Sequence, residues 1–273
     1  MTLTQDTRLR ASRAADNPLL TRTARAGFLG YGLTHLLVAW LALQIALGHP
    51  AGAGDQGGAL AELASRPFGR YLVLAICVGL GAMALWQALE AAVGHTADRG
   101  RERTAERLAS AGKAVVYAYL AWIGLGVVTD GADSSAQGQQ STTAGLLAEP
   151  GGRWLVGLAG VAVVAVGAGL VWYGVVRRFE KHLRTGAMSP RVRTLSRRLG
   201  TAGYVAKGVA YGIAGALLVL AAVTFDPGRA RGLDGALRAL AEQPAGPPLL
   251  LAVAAGIAAF GVFCFVQARY RKV

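Results

Sequence analysis

The stretch Lys207-Gly208-Val209-Ala210-Tyr211 decides the fold of this chain, because related stretches stand at two other places in the sequence. Residues 202–211 align without a gap with residues 26–35, and residues 108–117 fit the same pattern more loosely. Each copy opens an apolar run, and a loop and a second apolar run follow it. Self-similarity at a fixed period predicts a chain built from three copies of one two-helix unit.

Six runs without Lys, Arg, Asp or Glu explain why 53% of the 273 residues are hydrophobic. Most of them reach the roughly 20 residues that a helix needs to cross the hydrocarbon core of a bilayer. We therefore predict an all-α membrane protein with six transmembrane helices, arranged as three tandem helical hairpins with pseudo-threefold symmetry. The runs are 26–54, 71–89, 114–129, 154–176, 208–225 and 243–268.

The net charge of +13 is distributed unevenly between the connections of these helices. Basic residues concentrate before the first run, after each second run and at the end of the chain, whereas the odd-numbered loops hold few. By the positive-inside rule, both termini are expected to be cytoplasmic in a multi-pass protein of the bacterial inner (plasma) membrane. The expected partners of the basic loops are anionic lipid headgroups, and nucleic acid is not expected.

A second shared signature lies in the loops that follow the odd-numbered helices. Apolar residues three and four apart, ended by Pro-x-Gly, predict a short amphipathic helix in each of these loops, within 58–70, 144–153 and 235–247. The predicted organisation is a disordered or surface-lying cytoplasmic tail over residues 1–19, repeat one over 20–95, repeat two over 96–183 and repeat three over 184–273.

The two signatures together resemble the bacterial membrane proteins catalogued as domain-of-unknown-function family 1206. The resemblance covers residues 20–270 and is carried by the stretches 207–211 and 113–117 and by the Gly-Ala-Leu…Pro-x-Gly-Arg signature of the loops. Repeat one departs from the pattern, because Tyr31 and His35 stand where the other repeats have Lys and Tyr. The resemblance implies the fold and the location, and it implies no activity.

Three pairs of residues are the candidate site. Each pair is four residues apart and so shares one helix face: Tyr31 with His35, Lys113 with Tyr117, and Lys207 with Tyr211. We expect these faces to converge on the pseudo-threefold axis and to form a cytoplasm-facing site for an anionic headgroup or a small anion. The alternative is that Lys113 and Lys207 extend to lipid headgroups while the tyrosines bond to neighbouring helices.

The sequence contains none of the common catalytic motifs for metal, nucleophile or phosphate chemistry. We therefore predict a non-enzymatic membrane protein without catalytic residues, metal or cofactor. It is expected to be a helix-bundle scaffold or an accessory subunit of an unidentified membrane protein. The alternative is a transporter or channel for a small anion or a lipid headgroup, with its site between the three repeats. A transport pathway requires a polar cavity that reaches past the midplane, whereas a scaffold is packed solid along its axis.

Overall fold

The computed structural model describes residues 18–49, 52–94, 100–129 and 135–271. Within these residues the chain is almost entirely helical, and we number its α-helices in chain order. They are α1 Pro18–Ala46, α2 Gln56–Ala64, α3 Gly69–Val93, α4 Gly100–Thr129, α5 Ser135–Ala148, α6 Gly152–Val175, α7 Pro190–Thr224, α8 Gly232–Ala241 and α9 Gly246–Tyr270. Of the predicted tail, residues 1–17 lie outside the described residues, and α1 begins at Pro18.

Six of these helices are long and apolar enough to cross a membrane: α1, α3, α4, α6, α7 and α9. Their apolar portions coincide with the six charge-free runs, so the prediction of a six-span, all-α membrane protein is confirmed. A helix satisfies its own backbone hydrogen bonds, which is a requirement for any segment that crosses hydrocarbon. The chain is therefore a multi-pass membrane protein.

The spans pack in a ring whose order follows the repeats. The second span of each repeat packs on the first span of the next, giving the interfaces α3–α4, α6–α7 and α9–α1. The two spans within repeat one and within repeat three also pack on each other. In the described part of repeat two, by contrast, α4 and α6 form no interface of comparable extent. The cyclic order thus follows the three-repeat plan, and the ring is open inside the second hairpin.

Small residues let the helix backbones approach closely at several of these interfaces. A Cβ atom on Gly27 of α1 would lie 2.3 Å from the carbonyl oxygen of Gly79 of α3. A Cβ atom on Gly32 would lie 2.7 Å from the carbonyl oxygen of Gly261 of α9. Lipid provides no hydrophobic drive for helix association, so close backbone packing of this kind supplies much of the attraction.

The short helices α2, α5 and α8 occupy one end of the ring, which we call the capped end. The expected helices are therefore present in all three loops. Two of them are more deeply inserted than a helix lying flat on the surface, because Leu60 of α2 and Leu237 of α8 are fully buried. Helix α5 is longer than expected, since its signature starts at residue 144 and the helix starts at Ser135. Its first half is polar and mostly exposed, so hydrophobic periodicity does not reveal it.

Two buried carboxylates join the loops of different repeats at the capped end. Asp55 accepts hydrogen bonds from the backbone N–H of Gly58 (2.8 Å) and of Ala136 in repeat two (2.7 Å). Asp234 accepts a hydrogen bond from the backbone N–H of Gly54 in repeat one (2.8 Å). Burial raises the pKa of Asp55, and the bonds from the backbone amides oppose that shift. These bonds hold the loops of the three repeats together at the capped end.

The opposite end, at which α1, α4 and α7 begin and α3, α6 and α9 end, is the basic end. Arg25, Arg107, Arg178 and Arg271 lie there. Contacts between segments that are distant in the sequence also hold this end together: Lys181 forms an ion pair with Glu106, and the backbone N–H of Arg184 donates to the carbonyl oxygen of Tyr270 (2.8 Å).

Candidate functional site: a cavity between the three repeats

Lys207 of α7 points into the ring and not toward lipid headgroups. Its Nζ donates to the Oη of Tyr31 (2.5 Å) and lies 3.2 Å from the Nε2 of His35. The Nδ1 of His35 lies 2.8 Å from the carbonyl oxygen of Tyr31 and donates to it, so Nε2 is left to accept from the lysine. Nζ also lies 4.4 Å from the ring centroid of Phe260, at a cation–π distance.

The helix faces explain why these groups meet. Tyr31 and His35 are one turn apart on α1, and Lys207 and Tyr211 are one turn apart on α7. Helix α9 brings α1 and α7 together, because it packs on both of them. A Cβ atom on Gly203 of α7 would lie 2.7 Å from the Cα of Phe260, so only glycine permits this approach of α7 to α9.

The candidate residues of repeat two reach the same region from α4. The rings of Tyr117 and Tyr31 meet edge to face with their centroids 5.2 Å apart, and Tyr117 is buried. Lys113, one turn earlier on α4, lines a cavity together with Tyr31, Tyr117 and Lys207. The three repeats therefore bring four of the six candidate side chains to one cavity. Whether they bind a ligand stays a prediction.

The cavity has a volume of about 400 Å³, within the range of small-molecule sites. It extends from Glu106 near the basic end of α4 to Tyr117, about 16 Å along the helix at 1.5 Å per residue. His35 and Tyr211 lie beyond its deep end and line, with Lys207 and Gln56, a separate void of about 10 Å³. Lys207 lines both spaces and so stands between them.

Several lining residues were not among the candidates derived from the sequence. Tyr204 could have been found, because it lies three residues before Lys207 on the same face of α7, and Phe28 holds the equivalent place before Tyr31. Phe260 and Tyr173 carry no such signal, since each belongs to an apolar span in which an aromatic residue is ordinary. The missed lining residues with aromatic or polar side chains are Phe28, Glu106, Tyr173, Arg178, Tyr204, Phe260, Gln267 and Arg271.

The charges that line the cavity are predominantly positive. Lys113, Arg178, Lys207 and Arg271 face a single carboxylate, Glu106. That carboxylate is already ion-paired with Lys181. Lys113 forms no salt bridge with a carboxylate in the described part of the chain, although the negative charges of Glu106 and Glu90 act on it from a longer distance. The cavity thus has the electrostatic character of an anion site.

Arg271 is held rigidly at the wall of this cavity. Its guanidinium stacks over the rings of Phe28 (5.0 Å) and Trp86 (5.2 Å), and its Nη1 donates to the Oε1 of Gln267 (2.7 Å). The buried Nε of Arg271 has no hydrogen-bond partner among the residues that the structure describes. A buried donor left unpaired costs free energy, so a bound acceptor at this wall would remove that cost.

His182 closes one side of the basic end, outside the spans. Its Nδ1 lies at hydrogen-bond distance from the Oη of Tyr173 (3.2 Å), and its Nε2 lies 3.7 Å from Glu106. Burial, reinforced by the positive charges of Arg271 and Lys113, lowers the pKa of His182 to about 3. The imidazole is therefore neutral at pH 7 and adds no charge to the cavity.

Three tandem hairpins around a basic internal cavity define a class of polytopic membrane protein built from one repeated unit. The chain belongs to the family described as Domain of Unknown Function (DUF1206), which it matches three times, over residues 26–94, 108–177 and 202–271. It is 31% identical over 261 residues to the uncharacterized protein YxxB of Bacillus subtilis (strain 168), covering 94% of this chain and 93% of that protein. No solved structure matches the chain. The family resemblance drawn from the repeats is confirmed.

Proposed function

We propose that this protein binds an anionic group in the cavity between its three repeats, as a membrane transporter or carrier does. The observation that carries the proposal is the lining of that cavity: four basic side chains surround it, and its one carboxylate is already paired. Ionisable residues within membrane spans are costly, and they usually mark substrate or ion pathways. A scaffold packed solid along its axis would have no use for them.

The proposed orientation places the basic end in the cytoplasm of a bacterial cell, by the positive-inside rule. The cavity is then open toward the cytoplasmic side, and the loops joined by Asp55 and Asp234 close the outer side. Lys207 and its partners Tyr31 and His35 stand between the cavity and the void beyond it. Passage across the membrane would require this cluster and the capped end to open in turn.

The proposal is one of binding without chemistry. No covalent step is assigned to the lining residues, and the protein is proposed to be non-enzymatic. Anionic lipids are proposed to contact the basic end, where arginines accumulate next to the headgroup region. The oxygen atoms of a carboxylate, phosphate or sulfate group are the acceptors that the lysines and arginines of the cavity can pair with.

A scaffold or accessory role is the second candidate, and the exposed surface of α6 favours it. Helix α6 is the least buried of the six spans, and its exposed side includes Trp154, Leu158 and Trp172. Lipid or a helix of another membrane protein could cover this surface. The two candidates differ in what they require of the cavity: an accessory subunit tolerates the loss of its lysines, and an anion carrier does not.

Native mass spectrometry of the purified protein, resolving bound lipids and metabolites, tests the proposal. We compare the wild type with the Lys113→Ala/Lys207→Ala variant and with Arg193→Ala, a control that removes an exposed charge from the basic end outside the cavity. A charge-assisted hydrogen bond contributes about 1.5–3 kcal/mol, so loss of the bond from Lys113 should weaken binding about tenfold or more, and loss of Lys207 removes a second positive charge from the lining. We expect an anionic molecule on the wild type and on the control, and its loss from the double variant. Equal occupancy of all three proteins, or no bound anion on any of them, would favour the scaffold.

A further inference from the structure

The opening of the ring inside repeat two leads from the cavity to the lipid. In the described residues, α4 and α6 form no extended interface, although the two spans of each other repeat pack together. The cavity lies at this opening, because residues of both helices line it. We call the gap between α4 and α6 the portal, and its walls are Ala105 and Ala109 of α4 and Val166, Gly169 and Leu170 of α6.

The α6 wall of the portal is uncharged and lies at membrane depth, whereas Ala105 and Ala109 of the α4 wall lie nearer the basic end, on either side of Glu106. Val166 is 57% exposed although it lines the cavity, so it faces both the cavity and the bilayer. It lies nine residues before the end of α6 at Val175, which is about 14 Å along the helix and well inside the hydrocarbon region. A Cβ atom placed on Gly169 would meet nothing within 4 Å, which shows that the wall is open at that position.

The basic groups line the same cavity as these apolar residues. Arg178 lies three residues after the end of α6 at Val175, Arg271 follows α9 directly, and both line the cavity near the basic end. Lys113 lies seven residues beyond Glu106 on α4, about 10 Å deeper than that carboxylate and deeper than Ala105 and Ala109. Along α6, the lining therefore changes from the cationic Arg178 near the basic end to the apolar Leu170, Gly169 and Val166 at the portal. An amphiphile with an anionic head has the same order of polarity.

We propose that an anionic phospholipid enters the cavity sideways through the portal. Its phosphate pairs with Lys113, Arg178 and Arg271, and its acyl chains pass Val166, Gly169 and Leu170 into the bilayer. This inference rests on the proposed function, since it names the ligand of the same cavity. A freely soluble anion would offer the same phosphate to the basic groups, but it would have no use for an apolar opening at membrane depth.

Narrowing the portal tests the inference. In Gly169→Leu the new side chain fills the gap, and in the control Gly81→Leu the same change is made on α3, where a Cβ atom also meets nothing within 4 Å and the position is exposed. Each protein is reconstituted in nanodiscs of phosphatidylglycerol and phosphatidylcholine, released into detergent and analysed by native mass spectrometry. We expect Gly169→Leu to retain about tenfold less phosphatidylglycerol than the wild type, a difference of about 1.4 kcal/mol, and Gly81→Leu to retain as much as the wild type.

The outcomes separate this inference from the proposed function. If Gly169→Leu retains as much phosphatidylglycerol as the wild type while Lys113→Ala/Lys207→Ala (the lysine variant) loses it, the portal is not the route of entry, and the proposed anion site is upheld. If sn-glycerol 3-phosphate binds and displaces the lipid at equal concentration, the ligand is a soluble anion. If the lysine variant also retains the lipid, both ideas fail. Val166→Phe is the second variant, used with the same expectation if Gly169→Leu does not reach the membrane folded.

Discussion

Two glycines two residues apart on α6 should respond to alanine in opposite ways. A Cβ atom on Gly167 would lie 2.7 Å from the carbonyl oxygen of Gly208 and 2.7 Å from the backbone nitrogen of Gly212, both in α7. Backbone atoms cannot move away by changing a rotamer, so α6 and α7 must separate. On Gly169 the same atom meets nothing within 4 Å. Alanine raises the helix propensity of α6 in both variants, whereas only Gly167→Ala disturbs the packing of α6 against α7.

The size of the effect follows from these two contributions. Overpacking typically costs about 1–3 kcal/mol, and replacing a helical glycine by alanine returns up to about 1 kcal/mol. Gly167→Ala should therefore be destabilised by about 1–2 kcal/mol, and Gly169→Ala should be as stable as the wild type or more stable by up to about 1 kcal/mol. The two variants therefore differ by about 1–3 kcal/mol, and at about 2–4 °C per kcal/mol the unfolding midpoint of Gly167→Ala should lie roughly 2–12 °C below that of Gly169→Ala.

Tryptophan fluorescence of the detergent-solubilised variants during heating measures this difference. Two of the five tryptophans, Trp154 and Trp172, lie on the same helix as both substitutions, so part of the signal reports on α6. Equal midpoints for the two variants, or a higher midpoint for Gly167→Ala, would refute the claim that the interface between α6 and α7 depends on direct contact of their backbones.

Two further predictions concern groups outside the spans. Asp234→Asn should destabilise the capped end by about 3 kcal/mol, because this fully buried carboxylate is ion-paired with two arginines. The control Asp226→Asn, which breaks an exposed ion pair, should cost less than about 1 kcal/mol. Equal unfolding midpoints for the two variants would contradict this prediction. The lowered pKa of His182 means that the unfolded chain binds more protons between about pH 6.5 and 3, so acidification through that window destabilises the fold by at most about 1.4 kcal/mol per pH unit. Unfolding midpoints of His182→Gln should depend less steeply on pH than those of the wild type, and identical slopes would show that this imidazole is not responsible.

Much of the fold could be predicted because the bilayer imposes simple rules on the sequence. Charge-free runs of the right length become spans, and the repeat shows how the spans pair. The beginnings of the odd-numbered helices are less predictable. The aligned stretches begin at residues 26, 108 and 202, whereas the helices begin at Pro18, Gly100 and Pro190. The additional turns are rich in arginine, which has a high helix propensity. Charged residues mark the point where the helix leaves the hydrocarbon region, but the helix itself continues beyond that point.

The residue types of the site could be predicted from the sequence, but the structural differences between the three repeats could not. Spacing of four residues places the candidate pairs on single helix faces, but it does not determine whether Lys207 extends to lipid or turns inward. That choice depends on acceptors supplied by α1, which are distant in sequence. The open hairpin of repeat two could not be predicted either, because the aligned repeats imply equal packing, and Gly169 and Gly167 look alike in the sequence although only Gly167 lies against another helix.

The divergence of repeat one explains how a lysine can be held so deep in the protein. The repeats align Tyr31 with Lys113 and Lys207, so three identical repeats would direct three ammonium groups toward one axis. Like charges brought together away from water repel strongly. With Tyr31 and His35 in repeat one, Lys207 instead finds two acceptors and a cation–π contact. Lys113 forms no salt bridge among the described residues, so its positive charge remains available to a ligand in the cavity. Because repeat one has a tyrosine at this position, the two remaining lysines take different roles: Lys207 stabilises the packing around the axis, and Lys113 can bind an anion.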